Sequence, residues 1–416
     1  MKTAILGCRP LVTLAGPSRP RVGSEMRELG IIPDGGMILE VGRIVAVGTR
    51  EQIESQIDDQ TQVEGVRGRL VMPGFVDAHA HPVFGENRAH EYEQRCEGAS
   101  YQEIAAAGGG IQCTVRQTRA ATEAELVAGG RRHIAWFLMN GTTTLEAKSG
   151  YGLSLEHELK MLRAIRRLNE DTPISLVPTF LGAHAVPVGS TAEEYAELVI
   201  NEMLPAVVAE NLAEYADAFC EDRYFTPDLT RRIMTAAKKR GLGLRLHVDQ
   251  LTNGGGAALA AELAAITADH LEHTEADGIA AMTKAGTIPV LLPGSVYALG
   301  LQRYPQARAM IEAGLPVVLA TDFNPGSSPT PSMPMVMSLA CTQMKMTPSE
   351  ALVASTINAA YSLNRGHDRG SLEVGKRADF VVFDATDPRE VAYWFGAHLV
   401  RQTWVQGQRV YTCSIS

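Results

Sequence analysis

With 416 residues, 45% of them hydrophobic and 20% charged, the chain has the make-up of a globular protein with ample core. Its net charge of −9 argues against a nucleic-acid surface, which needs a basic field to hold phosphates. No uncharged apolar run reaches the ~20 residues of a membrane helix. The N-terminal apolar stretch is cut by Arg9-Pro10, and six cysteines lie scattered without a C-x-x-C pair. A cytoplasmic protein without membrane or nucleic-acid partners is expected.

In chain order, residues 37–48 come first, a hairpin-like alternation around Gly42. The run 70–78 then reads as a buried strand that ends in His79-Ala80-His81. Gly108-Gly109-Gly110 follows, as a lid over a site or as a tight connection. Eight strand candidates alternate with helical patterns: 75–78, 142–147, 174–180, 216–220, 243–246, 266–269, 288–292 and 317–321. Helix starts are signalled at Ser190 with Glu193, at Thr226-Pro227 and at Thr347-Pro348-Ser349-Glu350. The tail holds two further strand-like runs, 378–384 and 403–411.

A prior of ~150 residues per domain allows about three domains, but a single barrel can absorb ~250 residues. Eight alternating units predict an α/β protein, a (β/α)8 TIM-type barrel over residues 66–365. The flanks 1–65 and 366–416 read as one small composite β-sandwich-like domain built from both termini, with two separate terminal domains as the alternative. A doubly wound open sheet would not explain why polar residues gather at so many strand ends. In a barrel those ends form one mouth.

The polar residues at that mouth carry the chemistry. Side chains two apart on a strand share a face, so His79 and His81 project together. His247 adds a third imidazole and Asp322 an anionic oxygen, a donor set for one catalytic metal ion. Such an ion lowers the pKa of a bound water from about 15.7 toward ~7. Asp322 can accept that water's proton and His270 can orient the water. Each residue alone has a plainer reading, as a satisfied structural histidine or a helix cap; it is their common placement at strand ends that counts. His90, His133, His157, His367 and His398 lack that placement and read as surface or structural, while His273 is ambiguous.

Several motifs run through this frame: Pro73-Gly74-Phe75-Val76-Asp77-Ala78-His79-Ala80-His81, Gly108-Gly109-Gly110-Ile111, Lys148-Ser149-Gly150-Tyr151-Gly152, Leu181-Gly182-Ala183-His184-Ala185, Asp322-Phe323-Asn324-Pro325-Gly326-Ser327 and the tail Gly370–Asp379. With them the chain resembles the amidohydrolase superfamily and, within it, the imidazolonepropionase family, over nearly its whole length. The resemblance implies hydrolysis of the cyclic amide 4-imidazolone-5-propanoate to N-formimidoyl-L-glutamate, a step of histidine degradation. It also implies a zinc or iron ion and a homodimer. By resemblance Arg88 anchors the substrate carboxylate, a task suited to a guanidinium fork. Tyr151 and His184 would hold the ring, and Asn324, Gly326 and Ser327 would line the pocket. Some superfamily members bridge two metals with a carboxylated lysine at the end of the fourth strand. Here Lys148 follows the second strand, so one metal and a packing or ion-pair role for Lys148 are expected.

One position departs from the family pattern. The familiar motif has a glutamate three residues after the fifth-strand histidine, where this chain reads His247-Val248-Asp249-Gln250. Gln250 can hydrogen-bond the ring but cannot move a proton. Asp322 with His270 would carry the proton, or Asp249 would contribute. Strand alternation points Asp249 and His247 to one side and Gln250 away, unless the strand has ended by then. Other readings are a different cyclic-amide hydrolase, a heterocycle deaminase, which would use the missing glutamate, and a non-catalytic scaffold, which would lack the ligands.

Overall fold

A computed structural model describes residues 2–99, 103, 104 and 107–414. Its centre is an eight-stranded parallel sheet whose strands follow one another in chain order. They are Phe75–Asp77, Thr142–Lys148, Ser175–Ala183, Tyr215–Cys220, Gly243–Val248, Thr267–His270, Ile288–Leu291 and Val318–Leu319. These runs show little alternation because the strands are covered on both faces; Thr142–Lys148 is buried at every position although it carries three threonines, Glu146 and Lys148.

The first and last strands meet at the mouth. His79 O accepts from Asp322 N at 3.0 Å, and Phe323 O accepts from His81 N at 2.8 Å. Just below, the Asp77 carboxylate accepts from Thr321 N at 3.1 Å and Thr321 Oγ1 at 2.6 Å. The barrel thus closes through the very residues flagged as candidate ligands.

Two of the predicted helix starts are seen as read. Thr226 Oγ1 accepts from Leu229 N, with Pro227 in the first turn. Thr347 and Glu350 form a reciprocal capping box. The third lies one residue later than predicted. Thr191 and Glu194 make the box, because the Ser190 N–H is already spent on Pro187 O in the preceding turn.

Residues 70–78, read as one strand, are two. Leu70–Pro73 pairs antiparallel with Phe380–Phe383 outside the barrel, and Phe75–Asp77 enters it. Gly74 between them allows the change of sheet, since a Cβ there would lie 2.3 Å from Thr143 Oγ1. The alternation around Gly42 is the hairpin Gly35–Glu40 and Arg43–Thr49, turned by Val41 (φ +49°) and Gly42 (φ +75°). The tail run 403–411 straddles a second hairpin, Val400–Val405 with Gln408–Thr412, rather than forming one strand.

Outside the barrel, a four-stranded sheet comes from the N-terminal segment alone, and a six-stranded sheet interleaves strands from both ends of the chain. One apolar cluster joins the two sheets, with Ile5, Leu11, Met37 and Leu39 packed among Phe380, Val382 and Trp404. No helix among the described residues is long and apolar enough to cross a membrane.

Candidate active site at the barrel mouth

The four candidate metal ligands come together. The His79 and His247 ring centres are 4.4 Å apart, and those of His79 and His81 are 5.4 Å apart. Asp322 Oδ1 lies 3.5 Å from His79 Nε2 and 3.6 Å from His81 Nε2. His270 stands beside them, its ring 5.3 Å from that of His247. The Nε2 atoms of His79 and His247 are buried and have no hydrogen-bond partner. A buried nitrogen left in that state is costly unless something else satisfies it. Convergent, partnerless imidazole nitrogens beside a carboxylate fit a bound metal ion.

The backbone turns sharply where these side chains emerge. Asp249, His270, Leu271 and Asp322 all adopt positive φ, between 52° and 82°, a region non-glycine residues rarely enter. At the fifth strand this decides the question of side. The strand ends at Val248, so alternation no longer applies, and Gln250 swings into the cavity. Asp249 points away into structure: its carboxylate accepts from Gly256 N at 2.9 Å, Ala257 N at 3.2 Å and Thr274 Oγ1 at 2.7 Å. These bonds tie it to the start of the helix Gly256–Glu262 and to Thr274. Glu221, at the end of the fourth strand, accepts from Leu251 N at 2.8 Å and steadies the Gln250 turn.

Protonation states follow from burial and neighbours. Burial, with Lys148 and His247 nearby, holds the His79 imidazole at about 3. Burial outweighs the Asp322 carboxylate and holds His81 at about 4. Both therefore stay neutral, the form that ligates metal. Burial would raise the Asp322 carboxyl, but the imidazoles of His79 and His81 outweigh it and keep it ionised. His270 moves the other way: burial alone would lower it, but the Glu272 carboxylate, 3.4 Å from Nδ1, raises it.

The far nitrogens of two histidines meet carboxylates that the sequence reading did not flag. His79 Nδ1 is 2.7 Å from Asp269 Oδ2. His247 Nδ1 is 3.0 Å from Asp217 Oδ2, without the alignment of a hydrogen bond. Beneath them lie Glu146, Lys148 and Arg245, also buried. The available signal was a charged residue two positions before a strand-end residue, as in Glu146 before Lys148 and Arg245 before His247.

Above the histidines is a cavity of about 380 Å³. Arg88, Tyr151, His184, Gln250, Asn324 and Ser327 line it together with His81, His247, His270 and Asp322. Arg88 is buried, its Nε and Nη1 have no hydrogen-bond partner, and Glu91 Oε2 stands 3.6 Å from Nε. His184 stacks on His81 at 5.4 Å and donates from Nδ1 to Gly150 O at 3.0 Å. Asn324 is largely spent on its own turn, accepting from Gly326 N at 2.8 Å and Ser327 N at 2.7 Å. Gly326 lies against the Arg88 guanidinium rather than on the cavity wall. Gly110 heads the helix Ile111–Ala120, and its N–H donates to Glu91 Oε1 at 3.0 Å. The sequence reading missed Arg95, Phe219 and Tyr224, which also line the cavity.

Residues 70–410 match the amidohydrolase family. A protein of Solibacter usitatus named imidazolonepropionase is 58% identical over 98% of both chains. One of Geobacillus kaustophilus with the same name is 48% identical over 97% of this chain and 96% of its own. Among solved structures, Escherichia coli guanine deaminase superposes with a TM-score of 0.75 at 17% identity, covering 100% of both chains, a likeness of fold alone. The chain belongs to the amidohydrolase family and, within it, to the branch of the imidazolonepropionases.

Proposed function

We propose that the chain hydrolyses the cyclic amide of 4-imidazolone-5-propanoate to N-formimidoyl-L-glutamate, with His79, His81, His247 and Asp322 holding one metal ion. The observation that carries this reading is the 58% identity, over 98% of both chains, to a relative named for that activity. Three imidazole nitrogens and a carboxylate suit zinc and iron alike. The chemistry such an ion supplies when bound is polarisation of a carbonyl and acidification of a water.

The protein's own groups do the rest. Arg88, buried and without a hydrogen-bond partner at Nε and Nη1, grips the propanoate. Tyr151 and the neutral His184 bracket the ring. Asp322, ionised, takes a proton from the attacking water as its oxygen bonds to the ring carbonyl carbon. His270, whose pKa is raised, donates to the oxygen that gains negative charge. The carbon–nitrogen bond then breaks, and Asp322 returns its proton to the departing amidine nitrogen. Gln250 orients the ring by hydrogen bonding and takes no part in proton transfer.

A homodimer in the cytoplasm completes the reading. Two-fold dimers are the commonest assembly, and the exposed Tyr393, Trp394 and Phe395 offer an apolar surface for one. Light scattering of the purified protein checks the dimer. The reaction is tested by supplying imidazolonepropanoate, generated in situ from urocanate, to metal-replete and chelator-stripped protein. Formimidoylglutamate that appears only with metal is the expected result, and its absence with metal-loaded protein overturns the reading.

A further inference from the structure

Five charged side chains are sealed in the barrel beneath the histidines, three acidic and two basic. Lys148 Nζ lies 2.7 Å from Asp217 Oδ2, 2.9 Å from Glu146 Oε1 and 3.8 Å from Asp269 Oδ2. Arg245 Nε lies 2.9 Å from Glu146 Oε1, and its Nη2 lies 3.7 Å from Asp269 Oδ2. The two bases are not equivalent. Arg245 is also tied to backbone, donating to Ala78 O at 2.7 Å and Ser362 O at 3.0 Å. Every ion-pair partner of Lys148 is a carboxylate, and two of the three, Asp217 and Asp269, face the Nδ1 atoms of His247 and His79.

A packing role accounts poorly for this arrangement. Burying charges costs several kcal/mol per ion, and apolar residues of equal volume often serve stability as well or better. Carboxylates set against the far nitrogen of a ligating histidine, by contrast, fix its tautomer and its aim. On the metal-site reading given above, we propose that Lys148 is a positioning residue for the ion. Its single ammonium hydrogen-bonds Asp217 and attracts Asp269 from 3.8 Å, so that His247 on the fifth strand and His79 beyond the first present Nε2 to the same point. Two ligands far apart in sequence are thereby set by one side chain on the second strand.

The test is metal affinity, read without turnover by competition against a chromophoric chelator for zinc and for cobalt(II). Lys148→Met is expected to keep its circular dichroism yet hold metal about 10- to 100-fold more weakly than the parent. Asp217→Asn and Asp269→Asn, each removing one arm, are expected to lose about tenfold. Glu350→Gln, which breaks the ion pair of a buried carboxylate with the part-exposed Arg308 elsewhere, is expected to lower stability and leave metal affinity unchanged. The visible spectrum of the cobalt(II) protein is expected to change in Lys148→Met and not in Glu350→Gln. Parent-like affinity in Lys148→Met overturns the inference, as does an equal loss in Glu350→Gln. Should Lys148→Met fail to fold, parent-like affinity in both aspartate variants overturns it instead. A parent protein that binds no metal overturns the metal-site reading itself.

Discussion

Gly326 leaves its side-chain space to Arg88: a Cβ on Gly326 would lie 1.2 Å from the Arg88 guanidinium Nη2. The glycine in the eighth-strand loop and the arginine after the first strand are therefore one fitted unit. Gly326→Ala must displace the guanidinium and is expected to raise KM for imidazolonepropanoate about tenfold or more with a smaller change in kcat. Arg88→Gln, which removes the charge, is expected to cost about 3 kcal/mol, roughly 100-fold in kcat/KM. Arg88→Lys falls between, since it keeps the charge and loses the fork. Steady-state kinetics of the three variants checks the order.

Glu158 shapes the loop that carries Tyr151. Its carboxylate accepts from Gly150 N at 3.0 Å, Gly152 N at 2.7 Å and Leu153 N at 2.9 Å. An amide in its place would set an NH₂ group against a backbone N–H. Glu158→Gln is expected to lose about 1–3 kcal/mol of stability and to lower kcat through a displaced Tyr151. Urea unfolding and kinetics on the same preparation test both halves.

Much of this was legible in the sequence, for physical reasons. The eight barrel strands stand out because short β-prone runs, covered on both faces, recur between longer helical patterns, even where a run such as Thr142–Lys148 is largely polar. His79, His81, His247 and Asp322 stand out because strand ends are where such runs turn polar. Gly74 hid a change of sheet, because hydropathy does not record where a Cβ would collide. Asp217 and Asp269 were hidden because a lone carboxylate inside a strand has no spacing that marks it. Arg95 sits seven residues after Arg88, a relation that gains meaning only once the helix Ala89–Cys96 is in place. Thr191 displaced Ser190 as a cap because the turn before it had already used the Ser190 N–H.

Gln250 has no proton to exchange, and this has a kinetic signature. Gln250→Ala is expected to lose about 1–2 kcal/mol, roughly 5- to 30-fold in kcat/KM, as a ring contact disappears. The inflection points of its pH–rate profile are expected to match those of the parent. Shifted inflections in kcat/KM against pH would show that the residue is coupled to the titrating groups after all.

Acid stability is expected to depend on Glu350, whose side chain is fully buried. Burial would raise its carboxyl, but Arg308, the Thr347 N–H and Arg27 outweigh it and hold the group at about 2, against an ordinary 4.5. A carboxyl depressed in the folded state adds stability that is complete above 4.5 and lost as the pH falls toward about 2. Glu350→Gln is expected to be about 1–3 kcal/mol less stable at pH 7. The gap to the parent should narrow steadily below pH 4.5. Denaturant unfolding at pH 7, 4 and 3 measures it.

The seam that closes the barrel has a further consequence for how the protein comes into being. Asp77 and Thr321, which clasp beside the candidate ligands, are 244 positions apart. A chain emerging from the ribosome carries His79 and His81 early, yet lacks Asp322 and the Phe323 carbonyl that secures the His81 backbone until most of its length has been made. A half-synthesised chain can offer two imidazoles to any passing ion but cannot enclose it. On the metal-site reading, the four ligands can converge on one ion only after the last strand has been made.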